Sequence, residues 1–334
     1  MKELNVALLG FGNVGRAFAR YVERTGDDRE LKLRVRAVSD ASGGVMLDSQ
    51  ERISALLHHK ESGRSVADFA PNDAITNMRD FVAALPAAGI MALVESLPTN
   101  LRDGQPALDL LTSALARGLH VVTVDKGPLV HGFAALKEAA TRGGARFGFG
   151  GTTGVSIPAG LAGERVLEIR GVLNGTTNYI LTEMQERAIS FAQALADAQA
   201  AGIAEPDPAL DIEGWDTAAK ILILANALMD ANGRIDEVSR IGIGAETDVL
   251  IQVARERGDV VRLVGRARIW QGRVRLSVAP KVVNPDSLFY TVKGTSKAAI
   301  FRTADKGEIQ AFARSGRDAI SQTIMGDLLQ MVGD

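Results

Sequence analysis

A lysine one helical turn after an aspartate, set in a run that is apolar on nearly every face, is where this chain is best equipped for chemistry. The run is Gly214-Trp215-Asp216-Thr217-Ala218-Ala219-Lys220-Ile221-Leu222-Ile223-Leu224-Ala225. From Thr217 to Met229 it reads as a buried helix, and Asp216 and Lys220 share one of its faces. An ammonium in such a place loses hydration and needs a nearby acid. The alternative is an ordinary ion pair on a wet face, worth about 0.3–0.5 kcal/mol. This helix has little wet face to offer, which favours a working lysine.

An acidic stretch leads into that helix. Glu205, Asp207, Asp211, Glu213 and Asp216 follow one another closely, and Pro206 and Pro208 stiffen the segment. Such stiffening suits groups held at fixed angles; a solvated loop is the other reading. Upstream, Gly171-Val172-Leu173-Asn174-Gly175-Thr176-Thr177-Asn178-Tyr179-Ile180-Leu181 reads as strand, turn and helix. Thr176 or Thr177 suits the cap of that helix, and its free amides can hold a carboxylate. In Val121-Val122-Thr123-Val124-Asp125-Lys126-Gly127-Pro128, Lys126 falls just past the carboxyl end of a strand. Open α/β sheets bind their ligands on that side, although a lone lysine there is usually solvated.

Gly10-Phe11-Gly12-Asn13-Val14-Gly15 follows the first strand and opens a helix. In that context Gly10 permits the tight turn, Gly12 lets backbone approach a pyrophosphate, and Gly15 lets helix pack on strand. The amides at the helix start, aided by its dipole, face the phosphates. Asp40, at the end of the second strand, is placed to accept from ribose hydroxyls and to repel a 2′-phosphate. It is equally a turn residue in Ser39-Asp40-Ala41-Ser42-Gly43. Arg36 lies within the strand, and Lys60 comes from the following segment within reach of such a phosphate. NAD is favoured, with NADP left open.

The elements that position these groups alternate strand and helix through the first third of the chain. Strands are expected over Leu4–Leu9, Leu33–Ser39, Ile90–Glu95 and His120–Val124, which predicts a parallel, doubly wound sheet. The glycine-rich crossing Phe147–Gly154 marks the change of texture. After it come a strand over Arg165–Leu173, helices, and a strand-bearing region over Val261–Ala279. The end, Ile320–Val332, reads as an amphipathic helix. The expected organisation is a nucleotide-binding domain over 1–145, completed by the helix at 316–334, and an α+β catalytic and dimerisation domain over 146–315.

Composition narrows the function classes. With 334 residues, two or three domains are expected. Apolar residues make up 46%, charged residues 23%, and the net charge is −2, a balance that gives nucleic acid no basic footprint. The chain has no cysteine, which excludes disulfides and thiolate chemistry. The adjacent His58 and His59 point apart, a poor start for a zinc site. No apolar run reaches the length of a membrane span, and the first residues lack the pattern of a signal peptide. A cytoplasmic location is the default expectation.

Taken together, the strings Gly10–Gly15, Val121–Pro128, Gly171–Leu181 and Ala201–Ala225 resemble homoserine dehydrogenases, in that family's order and spacing. Val292-Lys293-Gly294 and Gly326-Asp327-Leu328 extend the likeness over nearly the whole chain. The resemblance implies interconversion of L-aspartate 4-semialdehyde and L-homoserine with NAD or NADP. It implies Lys220 as proton donor to the developing alkoxide, with Lys126 beside the reacting carbonyl and near the cofactor. Glu205 and Asp216 would bind the substrate's polar groups, Asp211 would support their loop, and Gly175 and Thr176 would contribute from the neighbouring turn. Ser96 would join the glycine turn and Asp40 at the cofactor. Gly150, Thr153, Val155 and Ile157 would be the backbone positions of a sodium or potassium ion. A homodimer is implied, in the short form without a regulatory extension.

Three segments depart from the family pattern. Asp125 replaces the usual asparagine. Gly150-Gly151-Thr152-Thr153-Gly154-Val155-Ser156-Ile157-Pro158 replaces a Glu-Ala-x-Val-Gly-Gly-Gly-Ile-Pro type of segment. Ser315-Gly316-Arg317-Asp318-Ala319-Ile320 replaces a glycine segment that covers the cofactor. Two rivals therefore stand beside the family reading. One is a same-fold dehydrogenase of another semialdehyde or hydroxy acid, and the other a non-catalytic nucleotide sensor.

Overall fold

A computed structural model describes residues 2–25, 31–49, 51–313 and 318–332. The chain forms two compact units, Met1–Thr152 with Arg317–Asp334, and Thr153–Gly316.

The first unit begins with β1 (Lys2–Leu9), α1 (Asn13–Thr25), β2 (Leu31–Asp40) and β3 (Gly43–Met46). It continues through α2 (Glu51–Glu61), α3 (Met78–Ala84), β4 (Ala92–Glu95), α4 (Ala107–Ala116), β5 (His120–Thr123), α5 (Gly127–Gly143) and β6 (Phe147–Gly148). Its strands lie in the order β3-β2-β1-β4-β5-β6. All neighbours are parallel except the β2–β3 hairpin. Every residue of β4 is buried, as expected of a parallel sheet covered on both faces, whose strands read as unbroken apolar runs. The strand order reverses between β1 and β4, and that reversal opens a ligand crevice outside the carboxyl ends of the strands. Gly10 and Ser96 follow directly on those two ends.

In the second unit β7 (Val166–Val172) leads to α6 (Gly175–Arg187), α7 (Phe191–Ala200), α8 (Ala209–Ile212) and α9 (Trp215–Met229). Then come β8 (Ser239–Arg240), α10 (Thr247–Glu256), β9 (Val260–Trp270), β10 (Arg273–Val283), β11 (Lys297–Thr303) and β12 (Glu308–Ala313). The sheet order is β12-β11-β7-β9-β10-β8, antiparallel apart from β8 against β10. The region expected to bear strands near Val261–Ala279 is thus a long hairpin. Its two-residue turn, Gln271-Gly272, has φ of 49° and 75°, the combination that matches the twist of paired strands.

Helix α9 lies across β7, β9 and β10. A Cβ on Gly265 of β9 would stand 3.0 Å from Thr217 Cγ2 and 3.3 Å from Ile221 Cβ, so the bare glycine seats the helix on the sheet. No residue of α9 is exposed. That burial explains its all-round apolar composition, and it removes the wet face on which an ordinary ion pair would sit.

The chain ends with α11 (Ala319–Val332), which belongs to the first unit. Ile324, Leu328 and Met331 enter the same core as Leu4, Phe18, Val35 and Leu56. Asp327 Oδ2 accepts from the Gly150 N–H at 2.9 Å.

Candidate active site

In the first unit the glycine turn is built by close backbone approach. Gly10 has φ of 102°, and a Cβ there would lie 2.7 Å from the Ser96 carbonyl oxygen. A Cβ on Gly15 would lie 2.1 Å from the Gly10 carbonyl oxygen. Ser96 closes the turn, its N–H donating to Leu9 O at 2.8 Å and its Oγ to Gly10 O at 3.1 Å. A Cβ on Gly12, by contrast, would meet nothing within 4 Å. Tight packing on two sides and open space over the start of α1 form a cradle that fits a pyrophosphate. Phe11 is buried and Val14 packs against the core, so these two offer backbone rather than side chain to a ligand. Arg16 was not anticipated from the glycine pattern. It donates to Asn13 Oδ1 at 3.0 Å and to Gly12 O at 3.2 Å, which places a cation on the first turn of α1.

Asp40 sits at the end of β2 with its carboxylate already engaged. It accepts from Ser42 N at 2.9 Å and Val66 N at 3.1 Å, and Lys60 forms an ion pair with it. Burial raises its carboxyl, but the hydrogen bonds from Lys60, Ser42 and Val66 more than offset that and hold it below its ordinary value. Lys60, expected within reach of a phosphate, has its ammonium on Asp40 instead. The acid therefore organises its own loop at the carboxyl end of β2.

Lys126 is the residue before α5, beyond the end of β5, and its carbonyl accepts from Leu129 and Val130. Asp125 beside it caps the same helix, with Gly127 N–H donating to Oδ1 at 2.8 Å. Glu95, at the end of β4, accepts from Leu97 N–H at 2.6 Å and from the Thr123 hydroxyl. Glu95 is fully buried; burial first, then the charge of Asp125, push its carboxyl up to about 8. Burial pushes Asp125 up as well, partly offset by its Gly127 bond. No motif points to Glu95, because in sequence it is simply the last residue of an apolar strand.

In the second unit the Lys220 ammonium donates to Asp216 Oδ2 at 2.6 Å and to the Leu173 carbonyl oxygen at 2.8 Å. The two side chains are 12% and 14% exposed. Asn174 joins the acids, its Nδ2 donating to Asp211 Oδ1 at 2.6 Å and Asp216 Oδ2 at 2.8 Å. Its Oδ1 accepts from Thr177 N–H at 2.8 Å. The cap of α6 is therefore Asn174, and not Thr176 or Thr177 as expected. Asn174 has the extended backbone of a cap (φ −118°, ψ 122°), while Thr177 already lies inside the helix. Thr176 donates instead to Ile203 O at 3.2 Å, which ties the turn to the acidic loop. Gly175 abuts another loop, since a Cβ there would lie 3.0 Å from Thr295 O.

Asp211, Asp216 and Lys220 are thus gathered by one network through Asn174, and Gly175 and Thr176 follow Asn174 directly in the chain. Glu205 stands at its margin, with an exposed side chain and a carbonyl that accepts from Gln199 Nε2 at 3.1 Å. Lys297, at the start of β11, lies beside Lys220 and has no counterpart among the residues singled out from sequence. Of the cation positions, Gly150 belongs to the first unit and Thr153, Val155 and Ile157 to the second. The Val155 carbonyl already accepts from Thr153 Oγ1 at 2.6 Å. The altered glycine segment over Ser315–Ile320 falls, in its first three residues, outside the described residues.

The sequence profile of homoserine dehydrogenases matches residues 156–329. A homoserine dehydrogenase of Methanocaldococcus jannaschii is 33% identical over 98% of both chains. The chain belongs to the homoserine dehydrogenase family. An NAD(+)-dependent homoserine dehydrogenase of Pseudomonas canavaninivorans is 30% identical over 99% of this chain and 97% of its own length. The crystal structure of a homoserine dehydrogenase from Thiobacillus denitrificans superposes with a TM-score of 0.80 at 26% identity, over 99% of this chain and 73% of that one.

Proposed function

We propose that the protein is an NAD(P)-dependent oxidoreductase acting on a CH–OH group, and specifically a homoserine dehydrogenase. Family membership supports this reading, and the Lys220–Asp216–Asn174–Asp211 network carries it. A reduced nicotinamide, when bound, supplies a hydride to the aldehyde carbon of L-aspartate 4-semialdehyde. Negative charge then develops on the aldehyde oxygen, and a lysine there stabilises it and completes the alcohol with a proton. Lys220 suits that task. Asp216 and the Leu173 carbonyl take two of its N–H groups and fix its direction, which leaves the third for the substrate oxygen. In the oxidative direction the same amine accepts the hydroxyl proton. Asn174 keeps two acids from repelling each other by donating to both. In this reading Lys126 lies at the reacting carbonyl, Glu205 takes the substrate ammonium, and Gly175 and Thr176 present amides to its carboxylate.

Gly10–Gly15, Ser96 and Asp40 form the nucleotide position of the reading, with NAD favoured over NADP. The Pseudomonas canavaninivorans relative, named as NAD(+)-dependent, supports that preference. The reading includes a homodimer and a cytoplasmic setting, the former open to sedimentation measurement. No step depends on a monovalent cation at Gly150, Thr153, Val155 and Ile157. The described helices include none long and apolar enough to cross a membrane.

The test is absorbance at the reduced-nicotinamide band with L-homoserine, a panel of other hydroxy acids and both cofactors. Turnover of homoserine is expected. Turnover of a different hydroxy acid with none of homoserine would overturn the substrate assignment, and cofactor binding without any turnover would favour a sensor.

A further inference from the structure

Lys297 opens β11 beside Lys220, paired through its backbone with Ala313 of β12, and its ammonium makes no hydrogen bond or ion pair with any described residue. Its stem is placed by Gly154, which has φ of 76°. A Cβ at Gly154 would come 2.9 Å from Leu173 O, 3.3 Å from Lys297 Cδ and 3.5 Å from Lys220 Cδ. The absent side chain lets two lysine stems and the last carbonyl of the β7 region converge on one point. The contact of Gly175 with Thr295 O brings the same loop against the start of α6. There Asn174 occupies the Thr177 N–H, while the Gly175 and Thr176 amides precede any intrahelical acceptor.

The two ammonium groups differ in how they are balanced. Lys220 is matched by Asp216 and Leu173. Lys297 is half-buried and unmatched: burial, then the charge of Lys220, hold it below the usual lysine range, with Asp216 offsetting only part. A partly desolvated cation without a partner is stabilised by an arriving anion. The alternative, a solvated lysine at the mouth of a strand, leaves the convergence at Gly154 without a use.

We propose that Lys297 is a specificity-determining residue that takes the α-carboxylate of the substrate, together with the amides that begin α6. This rests on the hydroxy-acid reading above and deepens it, because it makes the carboxylate a requirement. A substrate analogue lacking that charge leaves Lys297 unpaired, and a site built around a buried polar group rejects an analogue that cannot meet it.

The experiment compares wild type, Lys297→Gln and Lys297→Arg on L-homoserine and on its neutral carboxamide, with calorimetric binding of L-homoserine and of cofactor alongside. A hydrogen bond between two charged groups predicts that Lys297→Gln loses about thirtyfold in kcat/KM on homoserine, mostly in KM. On the carboxamide it should lose little, cofactor affinity should hold, and Lys297→Arg should recover part of the loss. Equal losses on both compounds, or no loss on either, would overturn the proposal while leaving the homoserine reading intact. If wild type oxidises neither compound, the homoserine reading fails by itself, and calorimetry then decides for Lys297. Homoserine binding that is weakened in Lys297→Gln supports the carboxylate role, and binding that is absent or unchanged overturns it.

Discussion

The Lys220 ammonium lies 2.8 Å from the Leu173 carbonyl oxygen, so a side chain in the middle of a buried helix is tied to the backbone just past the neighbouring strand. With Asp216 on its other side, the ammonium is held in one direction rather than left to reach for water. Replacing Lys220 by Met keeps length and apolar packing, so the fold should survive. General acid catalysis is commonly worth roughly 10²–10⁴, and Lys220→Met should lose at least about a hundredfold in kcat with cofactor affinity nearly unchanged. Early unfolding combined with wild-type turnover of the folded fraction would make Lys220 a structural residue.

Asn174 serves two ends at once, capping α6 and bridging Asp211 to Asp216. Removing it takes away a cap and leaves two acids facing each other. Asn174→Ala should cost about 1–2 kcal/mol in stability and about tenfold in kcat/KM for homoserine. Urea midpoints and steady-state kinetics measure the two effects. Loss of stability with unaltered kinetics would reduce Asn174 to a helix cap.

Lys60 forms an ion pair with Asp40, and if Asp40 faces the cofactor ribose as proposed, that pairing weakens its repulsion of a 2′-phosphate. Lys60→Met should widen the preference for NAD over NADP by about tenfold, close to 1.4 kcal/mol. The ratio of kcat/KM values for the two cofactors reads this directly. A ratio that stays constant would place the 2′ position out of reach of both side chains.

Glu95 gives a pH signature. Its folded pKa of about 8 lies above the ordinary carboxylate value, because burial and Asp125 oppose its ionisation. The folded state therefore keeps a proton that the unfolded chain releases. This contribution to stability is whole below about pH 4 and is lost as pH rises through about 8. Glu95→Gln should be more stable than wild type at pH 9 by at least about 1 kcal/mol, with the gap closing towards pH 5. Parallel stability profiles for the two proteins would show that Glu95 is not protonated in the fold.

The elements most legible in the sequence were those whose signal is local. A glycine turn between strand and helix, an apolar helix with one acid–lysine pair, and parallel strands written as unbroken apolar runs follow from backbone sterics and periodicity. Those rules act over a few residues, so the residues themselves display them. The hairpin strand β3 and the strand β12 were less visible, the first being short and the second half exposed in alternation. Asn174 as cap was obscured by Thr176 and Thr177 just after it, since threonine also caps helices.

What joins distant parts of the chain was decided by tertiary structure alone. Asp40 reads as a free acid in sequence, and only folding lays Lys60 and the Val66 N–H on it. Glu95 becomes unusual only when Asp125 is buried near it. Lys297 becomes notable only because Gly154 admits it next to Lys220. Charge and hydrogen bonding depend on distance and local dielectric, neither of which sequence spacing sets once partners come from separate strands and loops. The sequence by itself determined which groups this protein has for its chemistry; the fold decided which of them are balanced and which are left to meet a ligand.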